Sequence, residues 1–120
     1  MSDQSNLAQP GVLTTFAQVG DLVTVQDEAT VSRTVLKSAG GRIVVFAFAA
    51  GQILTEHTAS MPVFVQALEG HLRISGGGET FDLHPGGLVY FPTRLAHAVE
   101  AVTDAKMQLI MVDGHTERPA

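Results

Sequence analysis

From Thr30 onward the chain is cut by turn-forming residues into pieces too short for helices. Ala39-Gly40-Gly41, Gly51, Gly70, Gly76-Gly77-Gly78, Pro85-Gly86 and Pro92 punctuate it at short intervals. Such spacing leaves no window for a sustained 3.6-residue apolar period, and none is present. The pieces between carry the period of two that belongs to strands. In "HLRIS", Leu72 and Ile74 fall on one face and His71 and Arg73 on the other. "TVSRTVLK" and "HAVEAV" alternate in the same way, and "ETFDLH" spaces Phe81 and Leu83 by two. "PVFVQALE", "GLVYFP" and "KMQLIMV" read as further strands, and "RIVVFAFA", apolar on both faces, as a strand covered on both sides. Many short strands joined by glycine turns predict an all-β, antiparallel barrel or sandwich.

The 120 residues suit one domain with one core. Residues 1–29 read as an N-terminal arm holding a short strand or a helical turn, residues 30–113 as the barrel, and residues 114–120 as a polar tail. Apolar residues make up 45% and charged residues 16%, which excludes a disordered chain and suggests that another subunit covers some apolar surface. Net charge is −5, and the seven Lys and Arg are scattered, so no basic stripe offers itself to nucleic acid or anionic membrane. The longest apolar run, residues 43–50, is too short to span a bilayer, and "MSDQSNLAQPG" lacks the pattern of a signal peptide. A cytoplasmic location is expected. With no cysteine, any metal must be held by nitrogen and oxygen ligands.

Two histidines stand out. Gly51 precedes His57 by five intervening residues, and His97 follows "GGLVYFPTRLA" forty residues later. Strands of a small barrel aim interior residues at a common axis, so two remote imidazoles can meet there and share a divalent ion. His71 and His84 flank the hairpin at Gly77 and are expected to be neighbours on the surface. The "GGG" at 76–78 precedes no helix and is not a phosphate loop.

The chain resembles the small single-domain cupins over about residues 42–112. The first half of that family's pattern finds Gly51, His57 and Gly70 in register, and the second half finds Gly86, Pro92 and His97. The resemblance implies an antiparallel jelly-roll barrel, also described as a double-stranded β-helix. It departs from the pattern at four places. The second histidine falls on Ala59, the glutamate on Val63, the glycine after Pro92 on Arg94, and the final asparagine on Ala101. Of the four side chains that hold metal in typical cupins, His57 and His97 remain.

The resemblance implies one of two functions. One is a protein that binds a small organic molecule in its barrel, through a degenerate histidine-based metal site. The other is a metal-dependent dioxygenase, isomerase or lyase. Fe, Mn, Ni or Zn would be held by His57 and His97, with Gln66 or Glu56 as a further ligand and His115 as a remoter one. Simple alternation turns Gln66 away from Val63 and Val65 unless a bulge intervenes. Arg94, near the expected barrel mouth, is a candidate cation for an anionic substrate. Ile43, Val45, Val65, Ile74, Phe81, Val99 and Leu109 are expected to line an apolar pocket. The Met107, Leu109, Met111 stripe is expected in the core or in a dimer contact, and a homodimer is expected.

Overall fold

The computed structural model describes residues 6–113. The tail at 114–120, His115 included, and the first five residues of the arm lie outside them. Among the described residues nine antiparallel strands follow one short 3-10 turn, Val19–Leu22. They are β1 Thr30–Ser38, β2 Gly41–Phe48, β3 Ile53–His57, β4 Val63–Glu69, β5 Leu72–Gly76, β6 Glu79–Leu83, β7 Leu88–Phe91, β8 His97–Ala101 and β9 Ala105–Val112. One sheet has the order β1-β2-β9-β4-β7, and the other β3-β8-β5-β6. The two pack face to face as a jelly-roll barrel. No helix among the described residues is long and apolar enough to cross a membrane.

Alternation builds the core. On β4, Val63, Val65 and Ala67 are buried, while Phe64, Gln66 and Leu68 between them are partly exposed. Phe48, Leu72, Ile74, Val99 and Met107 join the first set in one apolar cluster between the sheets. Each such side chain contributes about 1.5–3 kcal/mol by leaving water.

Strand β2 is covered on both faces, as its sequence requires. Its second cover is the chain's own arm. Val44, Phe46 and Phe48 face the barrel, whereas Val45 and Ala47 point outward into a separate cluster with Val23, Val35, Val19 and Leu22. Lys106 ties the arm down: its Nζ donates to the Gly20 carbonyl (2.8 Å) and lies 3.4 Å from a Glu69 carboxylate oxygen. Ile43 and Val45 therefore belong to the outer face and do not line the barrel, contrary to expectation.

The glycines of the two-part sequence pattern have a backbone reason. Gly51, Gly70 and Gly86 all sit at positive φ (87°, 75° and 92°), and a Cβ on Gly70 would also collide with the Asp104 carbonyl. Arg94 takes the same left-handed conformation, with φ of 68°, without a glycine's freedom. Its backbone N–H donates to the Ala59 carbonyl (2.9 Å), pinning the β7–β8 loop to the β3–β4 loop.

Candidate functional site

His57 closes β3 and His97 opens β8, and the two are direct cross-strand partners. A bulge decides which side chain enters the barrel. Leu54 pairs with Val99 and His57 with His97, so β3 spends three residues where β8 spends two. Leu54 packs on the core, and strict alternation would send Glu56 inward after it. The extra residue turns His57 to that side instead, at the exposed mouth of the barrel, as bulges beside binding sites often re-aim a side chain.

The imidazole centroids are 4.4 Å apart in an edge-to-face arrangement, well inside the roughly 8 Å beyond which two ligands cannot share an ion. His97 is only 4% exposed and stacks on Phe91, with centroids 4.1 Å apart. Nδ1 of His57 lies 2.8 Å from the Thr55 carbonyl, and Nδ1 of His97 lies 2.9 Å from the Leu95 carbonyl. A carbonyl only accepts, so each Nδ1 carries the hydrogen and each neutral ring keeps its lone pair on Nε2. Burial holds His97 below the ordinary histidine range; the Leu95 hydrogen bond opposes this, and the neighbouring His57 adds to the depression.

Both rings line a cavity of about 310 Å³ between the two sheets at one end of the barrel. Its apolar wall is Ala59, Met61, Val63, Leu109 and Met111, and its polar rim adds Arg42, Thr58 and Ser60. Ala59 and Val63 are the positions where the cupin pattern has its other two ligands, so the pocket keeps the pattern's layout with two of its four donors replaced by hydrocarbon. In the methionine stripe, Met107 and Leu109 belong to the core and Met111 packs against it, while Leu109 and Met111 also reach the cavity.

The remaining candidates lie elsewhere. No bulge interrupts β4 between Val63 and Ala67, and Gln66 faces outward, where its Oε1 accepts a hydrogen bond from Gln108 Nε2 (2.8 Å). Glu56 is exposed and does not line the cavity. Among the described residues no three His, Cys, Asp or Glu converge as a metal group. The donor set therefore does not fit a mononuclear centre of the usual kind, which supplies three protein ligands. Arg94 is exposed and is not part of the lining. Val65 and Val99 are packed in the core and do not line this cavity. Phe81 is 51% exposed, because β6 is the edge of its sheet. His71 and His84 do meet on the outer face, with ring centroids 4.4 Å apart, and His71 Nε2 lies 2.9 Å from Asp82 Oδ1.

Arg42 was not anticipated. It shares the parity of Val44, Phe46 and Phe48 and so starts β2 on the inner face. Register runs from Arg42 to Met111, from Met111 to Val63 and from Val63 to Phe91, one inward row across the five-stranded sheet. Its Nε lies 3.3 Å from Met111 Sδ. Parity along β2 was the signal that could have found it.

A two-sheet antiparallel jelly-roll barrel is the architecture of the cupin class of β-barrel proteins. The chain belongs to the cupin family: the Cupin domain model matches residues 44–113. A conserved protein of unknown function from Streptococcus pyogenes is 26% identical, with a TM-score of 0.75 over 94% of this chain and 96% of that one. An RmlC-like cupin from Desulfovibrio desulfuricans is 27% identical, with a TM-score of 0.74 over 84% and 97%. KdgF from Halomonas, at 18% identity and a TM-score of 0.66 over 82% and 95%, shares the fold. No curated protein matches the chain.

Proposed function

We propose that this protein binds a small organic molecule in the cavity beside His57 and His97. The observation that carries this reading is the pair of fixed tautomers. Both Nδ1–H groups are used within the chain, so two Nε2 lone pairs remain beside an apolar wall in a cavity of small-molecule size. Such a pair accepts hydrogen bonds from a ligand without needing a metal.

A metal-dependent enzyme is the second reading, and one observation favours it. An imidazole held through Nδ1 by a carbonyl is the usual support of a metal-ligating histidine. The chain's own further donors in this cavity are the thioethers of Met61 and Met111, which suit soft ions, and the neutral hydroxyls of Thr58 and Ser60, with no carboxylate among them. The two readings separate by metal analysis of untagged protein purified without chelator, beside the His57→Ala/His97→Ala double variant. Near-stoichiometric metal that disappears in the variant supports the enzyme. Metal-free protein whose histidine NMR signals move with added small molecules supports the binding reading.

A homodimer goes with either reading. Register aligns Leu36, Ile43, Ile110, Phe64 and Tyr90 as one apolar row across the outer face of the five-stranded sheet, on all five strands. Light scattering of the eluting species tests it, and a dimer broken by Phe64→Asp would support this face as the contact.

A further inference from the structure

The cavity has a charge pattern that neither expected function uses. Arg42, on the inner parity of β2 but exposed to solvent, stands on its rim, and no carboxylate lines the cavity with it. Two other cations are compensated, Arg73 beside Asp82 and Glu100 and Lys106 beside Glu69, whereas Arg33, Lys37 and Arg94 make no ion pair among the described residues and lie outside the cavity. Among the described residues Arg42 has no such partner. Its Nε is engaged by the Met111 sulfur, an uncharged contact that holds the side chain along the cavity and leaves the terminal NH₂ groups of the guanidinium for another acceptor. A planar guanidinium fork matches a carboxylate. A fixed positive group beside the pocket opposes a second cation there and favours an anion, even in a chain of net charge −5.

The two imidazoles ask for the opposite partner. With Nδ1–H committed to carbonyls, each imidazole in its uncharged form offers Nε2 as an acceptor, which pairs with an O–H or N–H of a ligand. Val63 and Leu109 supply apolar contact between these polar groups. The cavity, about 310 Å³, is at the small end of ligand sites.

We infer that the ligand is a small hydroxycarboxylic acid with an apolar body. Its carboxylate lies on Arg42, its hydroxyl donates to the imidazole pair, and its hydrocarbon rests on Val63 and Leu109. This rests on the reading of the cavity as a small-molecule site and adds the class of molecule.

The test uses three matched probes on the full-length protein: 2-hydroxy-3-methylbutanoate, 3-methylbutanoate without the hydroxyl, and 3-methyl-1,2-butanediol without the carboxylate. Histidine ring signals in NMR report the site, and calorimetry gives affinities. The hydroxy acid is expected to bind at least about tenfold more tightly than the diol, since a hydrogen bond to a charged group contributes on the order of tenfold or more, and about fivefold more tightly than 3-methylbutanoate, whose missing hydrogen bond is to an uncharged imidazole. Arg42→Gln should abolish the advantage over the diol. Arg42→Lys should restore part of it, and Arg94→Gln, outside the cavity, should leave it unchanged. If the diol binds as well as the hydroxy acid and moves the His57 and His97 signals, the site stands and the carboxylic acid class is refuted. If the acids bind equally in wild type and Arg42→Gln, Arg42 is refuted as the anchor. If no probe moves either histidine, the binding-site reading falls and the inference with it.

Discussion

Ala59 and Val63 line the cavity with the two histidines, so restoring ligands at both positions should create a metal site where the present chain offers two imidazoles. The perturbation is Ala59→His with Val63→Glu. Val63 is only 1% exposed, so without metal the new carboxyl enters an apolar wall. Burial of this kind raises a carboxyl pKa by up to about 3 units, and Arg42 on the rim of the same cavity offsets part of that, so at about 1.4 kcal/mol per unit the apo variant should lose up to about 4 kcal/mol at neutral pH. For a domain of this size that lowers Tm by up to about 15 °C. Metal bound at about one hundred times Kd returns about 2.7 kcal/mol, or roughly 10 °C. The assay is thermal unfolding followed by circular dichroism, with and without Zn(II) or Mn(II), beside metal analysis of the same samples. The wild type should shift by no more than a few degrees. The geometry is refuted if the double variant holds no more metal than the wild type. It is refuted equally if Val63→Glu alone leaves Tm unchanged, because the side chain would then not face a dry wall.

Leu72 is fully buried in the main core, so Leu72→Ala should cost about 3 kcal/mol, read from urea midpoints. Arg94 holds a left-handed backbone that glycine adopts freely, so Arg94→Gly should stabilise by about 0.5–1 kcal/mol after the added entropy of the unfolded chain; a lower Tm would contradict the strain. Burial depresses His97 in the folded state, so below its ordinary value near 6.5 the unfolded chain binds the proton first. His97 therefore adds a loss of stability as pH falls from about 6.5 through the folded value, and nothing above it. His97→Gln should flatten the dependence of stability on pH across that window, and an unchanged slope would assign it to other groups.

The strand pattern was legible because a period of two and glycine punctuation are local. Leu72 and Ile74 face inward and His71 and Arg73 outward, as their alternation states. Val63, Val65 and Ala67 also fell where parity put them, and the same parity correctly turned Gln66 away from the histidines. The pairing of His57 with His97 was legible only through the long-range glycine and histidine pattern, since nothing in forty intervening residues states that two strands will be neighbours.

Tertiary structure decided the rest. A single inserted residue in β3 turns His57 inward in place of Glu56, and a bulge is a relation between two strands that one strand's sequence does not display. The doubly apolar β2 needed a second cover, but its composition could not say whether another subunit or the chain's own arm would supply it; packing assigned Val45 to the arm. Phe81 has the alternation of a core residue and is half exposed because no strand lies beyond β6. Arg42 became part of the cavity through its register with Met111 and Val63, strands distant in sequence. Local periodicity sets which face a side chain takes. What lies opposite that face is set by the order in which the strands assemble.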